Sequence, residues 1–127
     1  MRVFMCLDQK DGLLFNDRRQ SRDREVAVDI EKTIGNEEIG MSEYSAKLFE
    51  GYDNIVVTDD LKDCRNVFLE KDDLDLLDFD ELIIYRWDKV YPADVRLTFD
   101  YKSMTLKDVS VIKGYSHDKI IKEVYVR

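Results

Sequence analysis

Four arginines lie close together near the amino terminus, in the segment DGLLFNDRRQSRDR that spans residues 11–24. Guanidinium groups bind phosphate and carboxylate through paired, charge-assisted hydrogen bonds. Neighbouring amide and hydroxyl side chains, together with the free N–H groups at a helix start, can complete such a site. The segment therefore predicts a binding site for an anion. The predicted ligand-binding residues are Asn16, Arg18, Arg19, Gln20, Ser21, Arg22 and Arg24.

The same segment also contains acids that can neutralise these arginines. Asp11, Asp17 and Asp23 lie within it, and the whole chain has 28 Asp and Glu against 20 Lys and Arg, a net charge of -8. Surface or partly buried ion pairs are therefore the alternative interpretation, and the acidic balance favours it. Both interpretations stay open at the level of sequence, and the segment remains the best candidate for a functional site.

Other polar residues predict structure rather than chemistry. The run of acids from Asp72 to Asp80 lacks the central glycine and final glutamate of a calcium loop, so we predict a solvated acidic surface and no metal site. His117 is the only histidine and lies near Gly114 in a predicted hairpin turn, where we expect it to be exposed. A single histidine leaves little scope for a catalytic triad, so no nucleophilic triad is predicted. We expect Trp87 to pack into the core.

Length and composition limit the class of protein. A chain of 127 residues, of which 44% are hydrophobic, fits one domain, residues 1–127, with its own core. The net charge of -8 disfavours broad binding to nucleic acids or to anionic membranes. Cys6 and Cys64 have no pairing pattern and are predicted to be buried free thiols. No segment has the pattern of a signal peptide or a membrane span, so we expect a cytoplasmic protein.

The elements that would position the arginine segment follow from periodicity. Residues 3–7 form a short apolar run that fits a central strand covered on both faces. Residues 9–20 predict a polar loop. Ser21 is predicted to cap the helix that follows, whose apolar side chains repeat at helical spacing up to Ile34, and Gly35 is predicted to end it.

Later in the chain, strands and helices alternate until the pattern changes after Pro92. The predicted strands are residues 39–41, 54–58, 67–69 and 82–87. A short helix capped by Ser42 follows the first of these strands, and such alternation favours parallel pairing. After Pro92, apolar and polar residues alternate as in antiparallel strands. We therefore predict an α/β fold on a single mixed sheet, with a parallel first half and a C-terminal antiparallel hairpin.

This order of elements resembles the dihydrofolate reductase family. The resemblance rests on VFMCLDQKDGLLFN, EIGMSEYSAKLF, NIVVTD, ELIIYRWDKVYPAD and the terminal VYVR, and it spans most of the chain. It implies a dihydrofolate-reductase-like topology, in which a mobile loop follows the first strand and a helix lies across the site. It also implies a pterin-binding carboxylic acid on the first helix, for which Asp23 and Glu25 are the candidates.

The chain departs from that family where the nicotinamide cofactor binds. The family uses a glycine-rich turn between a late strand and the next helix, because glycine lets backbone N–H groups approach a pyrophosphate. Between Val67 and Leu82 this chain has no glycine and instead contains LEKDDLDLLDFDE. These carboxylates would repel a pyrophosphate. We therefore predict that the protein has no cofactor.

A second resemblance is to short bacterial proteins that are often labelled ribonuclease Z. It rests on FNDRRQSRDR, YSAKLF and YRWDKVYPAD. A metal-dependent ribonuclease of that type needs several histidines and aspartates to hold two zinc ions, and this chain has one histidine. The resemblance implies an RNA-processing nuclease, but the residues do not supply its metal site.

These observations predict a small cytoplasmic binding or interaction protein without catalysis. Its arginine segment would hold an anionic small molecule or an acidic segment of a partner protein. The alternative is an enzyme, either a minimal NADPH-dependent reductase or an RNA-processing nuclease. A third hypothesis is a homodimer formed through the exposed edge of the terminal hairpin.

Overall fold

A seven-stranded sheet runs through the middle of the protein in a computed structural model that describes residues 1–127. The strands are Arg2–Leu7 (β1), Gly12–Phe15 (β2), Arg18–Arg19 (β3), Ile39–Met41 (β4), Ile55–Val57 (β5), Asn66–Phe68 (β6), Glu81–Trp87 (β7), Val95–Arg96 (β8), Thr105–Ile112 (β9) and Ile120–Val126 (β10). The α-helices are Arg24–Ile34 (α1) and Glu43–Ala46 (α2). Short 3-10 turns are Lys47–Phe49, Leu74–Leu76 and Tyr101–Ser103.

The large sheet has the strand order β5-β4-β6-β1-β7-β10-β9. Its first five strands are parallel, and β10 pairs antiparallel with both β7 and β9. The predicted fold class, with a parallel first half and a C-terminal antiparallel hairpin, is therefore confirmed. β1 is the middle strand of this sheet. Its side chains pack into the cores on both faces, as its short apolar run predicts.

Alternate side chains of β7 pack on opposite faces of this sheet. Tyr85 and Trp87 lie in the core that includes α1, whereas Leu82 and Ile84 lie in the core on the other face. The buried residues of α1 are Val26, Ala27, Ile30 and Ile34. The helix therefore covers one face of the sheet, and its amino-terminal end lies near the carboxyl ends of the parallel strands.

The segment after β1 is more ordered than the polar loop predicted from sequence. β2 and β3 form a hairpin, and β8 pairs with the other side of β2, so a second, three-stranded sheet is present. Asn16 and Asp17 form the turn with φ of 52° and 61°. Short polar side chains tolerate this left-handed conformation better than most others. The hairpin fixes the place at which the arginine segment begins.

The start of α1 differs from the sequence prediction, while its end agrees with it. Asp23, rather than Ser21, is the N-cap, and its carboxylate accepts a hydrogen bond from the N–H of Glu25. Ser21 lies two residues before the cap, and its hydroxyl contacts His117 instead. Gly35 ends the helix at φ 62°, and Ser42 caps α2, both as predicted.

Candidate functional site

A cleft of about 410 Å³ opens at the carboxyl ends of β1 and β6, beside the amino-terminal end of α1. The 3-10 turn Lys47–Phe49 and the loop between β9 and β10 complete its walls. In open α/β sheets, ligands bind in the crevice at the carboxyl ends of the strands. Both the position and the size of this cleft suit a small molecule.

The inner wall of the cleft is apolar. Leu13, Val26, Phe49, Phe68 and Trp87 all line it, and all five are buried. Two of them, Phe49 and Phe68, pack edge to face with ring centres 5.2 Å apart. The wall is therefore preformed and suits the aromatic or aliphatic part of a ligand.

The outer wall of the cleft is cationic. Arg22, Arg24 and Lys47 line it and are exposed, and none of them has a carboxylate within 4.0 Å. The guanidinium carbon of Arg24 lies 3.6 Å from the ring centre of Tyr115. This cation–π contact stabilises the position of the guanidinium and leaves its charge unneutralised. Unpaired cations are unexpected in a chain of net charge -8.

Arg19 behaves differently from these three residues. Its Nε and Nη2 donate to the two carboxylate oxygens of Glu70 at 2.8 and 2.9 Å, and its guanidinium lies 4.1 Å from the ring centre of Tyr44. The Ser45 hydroxyl donates to the same carboxylate at 2.7 Å. The alternative interpretation, a neutralised arginine, therefore holds for Arg19. The acid that neutralises it is Glu70, which follows β6 and lies outside the arginine segment.

Part of the predicted set lies outside the cleft. Asn16 and Arg18 line a separate hollow of about 500 Å³, and Gln20 borders both sites. The Gln20 amide donates to the Asp8 carboxylate at 2.9 Å, which fixes the end of the hairpin. The predicted residues that line the cleft are Arg19, Gln20, Ser21, Arg22 and Arg24.

Asp23 is the most heavily hydrogen-bonded acid at the cleft. Its carboxylate accepts from the N–H groups of Tyr115, Ser116 and His117 at 2.9, 2.9 and 3.1 Å, besides that of Glu25 at 3.0 Å. Burial works to raise the pKa of Asp23, but these N–H groups and the His117 ring outweigh burial and lower the pKa well below its ordinary value. Asp23 is therefore ionised at neutral pH.

His117 is buried, which corrects the prediction of an exposed turn residue. Its ring stacks on Trp87 with centres 4.5 Å apart, and its Nδ1 lies 2.9 Å from the Asp23 carboxylate. Its Nε2 lies 3.0 Å from the Ser21 hydroxyl and 3.2 Å from that of Tyr91. Trp87 packs into the core as predicted. The fold therefore brings together a serine, a histidine and an acid, although the sequence predicted no triad.

Gly114 was the available sequence signal for this arrangement. A Cβ at that position would collide with the His117 carbonyl oxygen and the Asp23 carboxylate. The β9–β10 loop can therefore close over the start of α1 only with glycine there. A glycine three residues before the single histidine was visible in the sequence, but the element that approaches it was not.

Cys6 also lines the cleft, as a free thiol. Cys6 and Cys64 are both free and only half-buried, whereas the sequence predicted them buried. Burial of the Cys6 sulfur, and then the nearby Glu70 carboxylate, raise the pKa of the thiol far above its ordinary value. Because the thiolate is the nucleophilic form, Cys6 contributes apolar surface to the cleft.

Comparison with known proteins supports the fold. Dihydrofolate reductase from Enterococcus faecalis, in a structure complexed with NADP(H) and RAB-propyl, is similar to this chain with a TM-score of 0.66. The likeness covers 99% of this chain and 95% of the other at 7% sequence identity, so it concerns the fold alone. No family model and no curated protein matches the sequence. The ribonuclease Z label has no support from these comparisons.

The residues beside the cleft do not fit a dinucleotide cofactor. A hollow of about 460 Å³ next to the cleft is lined by four acids and one lysine. These charged residues are Asp17, Asp59, Glu70, Asp73 and Lys71. The segment from β6 to β7 has no glycine and forms only the 3-10 turn Leu74–Leu76, so no long helix presents N–H groups to a pyrophosphate.

No helix is both long enough and apolar enough to cross a membrane. No group of three or more His, Cys, Asp or Glu side chains is arranged to hold a metal ion.

Proposed function

We propose that the protein binds a small organic anion in the cleft, as a cytoplasmic protein with free thiols and without a dinucleotide cofactor. The observation that carries this proposal is the set of three unpaired cations, Arg22, Arg24 and Lys47, beside an apolar wall in an acidic protein. The cations suit a carboxylate or phosphate, and the wall suits an aromatic or aliphatic body. The dimensions favour a small molecule over an acidic segment of a partner protein.

Thermal-shift and calorimetric titrations with matched ligands test the proposal. Benzoate and phenyl phosphate should raise the melting temperature, whereas benzyl alcohol, which has the ring without the charge, should not. Replacing Arg22 and Arg24 together with Gln should weaken binding at least about 10-fold, since each charged hydrogen bond contributes about 1.5–3 kcal/mol. Lys102→Gln is the control, because Lys102 is an exposed lysine away from the cleft.

Two results would contradict the proposal. The first is stabilisation by the neutral ring that equals stabilisation by the anions. The second is an equal loss of binding in the Lys102→Gln control, which would indicate a general charge effect. Binding of an oligoglutamate peptide that is tighter than binding of every small anion would instead identify a partner protein as the ligand.

A reductase is the rival function, and the dihydrofolate-reductase-like fold is the observation that favours it. We expect no oxidation of NADPH in the presence of dihydrofolate, because the acids beside the cleft repel a pyrophosphate. Thermal shift with NADPH, folate or both checks the binding step, and absorbance checks turnover. Cooperative stabilisation by the two compounds together would favour the reductase.

We also propose that the chain self-associates through β9. This strand is the edge of the large sheet, and its residues from Thr105 to Val111 are exposed. Antiparallel pairing of two copies centred on Val109, which is exposed, would place the two Val109 side chains opposite each other. Val109→Lys should therefore shift a dimer to monomer in analytical ultracentrifugation, because it sets two like charges against each other, whereas Val109→Thr should leave the dimer intact. A monomeric wild-type protein at high concentration would contradict this proposal.

A further inference from the structure

Ser21, His117 and Asp23 form a continuous chain of hydrogen-bonding groups at the cleft. The Ser21 hydroxyl oxygen lies 3.0 Å from His117 Nε2, and His117 Nδ1 lies 2.9 Å from the Asp23 carboxylate. Both distances are within the range found between a nucleophile and its base and between that base and an orienting acid. We propose that Ser21 is a nucleophile, activated by His117, that hydrolyses small anionic carboxylic esters bound in the cleft.

The hydrogen-bond pattern suits proton transfer from Ser21 to His117. An ionised carboxylate only accepts hydrogen bonds, so His117 Nδ1 carries a ring hydrogen, and in the neutral ring the lone pair of Nε2 faces the Ser21 hydroxyl. The Tyr91 hydroxyl lies 3.2 Å from the same nitrogen. It can keep the ring in place when the serine oxygen turns towards a substrate. Asp23 acts through His117 and is a positioning residue.

Ser21 and Asp23 both border the cleft, and His117 lies behind them. Asp23 and His117 are buried, and Trp87 covers one face of the imidazole. Ser21 is half-buried and lines the cleft, whereas His117 does not. A bound ester therefore meets the serine hydroxyl first, with its base behind it.

The proposed reaction needs only the ester and water. Ser21 Oγ forms a bond to the carbonyl carbon while its proton passes to His117 Nε2. The ester C–O bond then breaks, and the alcohol leaves with that proton. Water, deprotonated by the same nitrogen, attacks the acyl-serine and releases the acid and the free hydroxyl. No electrons are transferred, so no oxidant or reductant is required.

The preference for an anionic ester rests on the proposed function, whereas the nucleophile does not. Arg22 follows Ser21 directly and Arg24 lies three residues after it; both line the cleft, and neither forms an ion pair. Their guanidinium groups can bind the charged end of the substrate and stabilise the negative charge that develops on the carbonyl oxygen. A neutral ester would use the second effect only.

A purely structural role makes a different prediction. In that case the network only fastens the β9–β10 loop to the start of α1, as the bonds from Asp23 to Tyr115 and Ser116 already do. The Ser21 hydroxyl would then be no more reactive than any other serine. Ser103 provides the comparison, because it is exposed and its hydroxyl donates to a backbone oxygen at 2.7 Å with no histidine nearby.

Covalent labelling tests the nucleophile directly. A fluorophosphonate probe followed by peptide mapping should modify Ser21 in the wild-type protein and in Ser103→Ala. Labelling should be lost in Ser21→Ala and fall about 100-fold or more in His117→Gln, the usual contribution of a general base. Circular dichroism checks that each variant is folded. Should His117→Gln not fold, Ser21→Ala alone still decides. Absence of a Ser21 adduct, or labelling at Ser116 instead, would overturn the inference.

Ester hydrolysis separates the two proposals. Mono-p-nitrophenyl glutarate should be hydrolysed at least about 10-fold faster than p-nitrophenyl acetate, with the difference removed in the Arg22→Gln, Arg24→Gln double variant. Equal rates for the two esters, both abolished in Ser21→Ala, would keep the nucleophile and contradict the anion site. Binding of glutarate without any hydrolysis dependent on Ser21 would keep the anion site and overturn the nucleophile.

Discussion

Arg86 and Trp87 are consecutive residues of β7, and a buried polar network lies beside each of them on opposite faces of the sheet. Arg86 donates to both oxygens of Glu123 at 3.1 and 3.0 Å and to Asp11 at 3.0 Å. Trp87 instead stacks on His117, which links Asp23 to Ser21. One strand therefore positions an arginine network on one face and a histidine network on the other.

The arginine network is closed to ligands. Arg86 also donates to the Asp8 carbonyl oxygen at 2.8 Å and to the Tyr101 hydroxyl at 3.0 Å. Burial works to lower the pKa of Arg86, but its hydrogen bonds to Glu123 and Asp11 outweigh burial and raise the pKa further above its ordinary value. None of these side chains lines the cleft or the hollows beside it. The network therefore stabilises the fold and offers no reactive group.

The histidine network differs at one end. The Asp23 carboxylate accepts several hydrogen bonds, as do the acids of the arginine network. The last member of the histidine network, Ser21, however, lines the cleft. A network that reaches no cavity contributes to stability, whereas one that ends at a cavity can also move a proton to a ligand. This difference predicts that mutations in the arginine network change stability, whereas mutations in the histidine network also change the reactivity of Ser21.

The largest expected effect on stability is that of Arg86→Ala. Two carboxylates, those of Glu123 and Asp11, would lose the buried cation that neutralises them, at a cost of about 3–5 kcal/mol in the free energy of unfolding. Urea denaturation measures this change. Arg65→Ala is the control, since Arg65 is 78% exposed and its pair with Glu37 should contribute about 0–1 kcal/mol. Equal losses of stability in the two variants would contradict the claim that the Arg86 network stabilises the fold.

Asp23→Ala should have the next largest effect. It removes the helix cap and the acceptor for the loop N–H groups, so we expect a loss of about 2–4 kcal/mol. It should also reduce fluorophosphonate labelling of Ser21, because His117 loses the acid that orients it. Stability is measured by urea denaturation and labelling by mass spectrometry. A loss of stability with labelling unchanged would separate Asp23 from the proposed chemistry.

The third experiment concerns acid pH. The pKa of Asp23 is lower in the folded protein than its unfolded value of about 3.9, so the unfolded state binds more protons below about pH 5. Stability from Asp23 is therefore complete above the unfolded value and is lost as the pH falls towards the folded value. The free energy of unfolding should decline more steeply in the wild type than in Asp23→Asn, with a difference on the order of 2 kcal/mol. Parallel declines would contradict this assignment.

The smallest effect on stability is expected for Ser21→Ala. Tyr91 remains 3.2 Å from His117 Nε2, so the nitrogen keeps a partner and the loss should stay below about 1 kcal/mol. The same variant should abolish labelling at that position. Thermal denaturation compares its stability with that of Arg86→Ala. A large loss of stability would mean that Ser21 belongs with the structural network.

Local patterns account for most of the fold that could be predicted. The apolar run of β1, the helix end at Gly35 and the cap at Ser42 depend on neighbouring residues, so they are visible in the sequence. The hairpin of β2 and β3 was missed because its strands are short and one of them depends on pairing with β8. Ser21 and Asp23 are both residue types that cap helices, so the local pattern did not decide between them, and in the folded protein the loop N–H groups also bond to Asp23.

The residue pattern alone was enough to predict the α/β alternation, the central first strand and the arginine segment as the place to look for a site. It could not predict which polar groups meet in the folded protein. Ser21 and His117 are 96 residues apart, and Arg19 and Glu70 are 51 apart, yet each pair is in contact. Periodicity records the environment of a residue within its own element, but contacts between distant elements depend on sheet order and loop closure. For that reason His117 was expected to be exposed and is instead buried between Trp87 and Asp23.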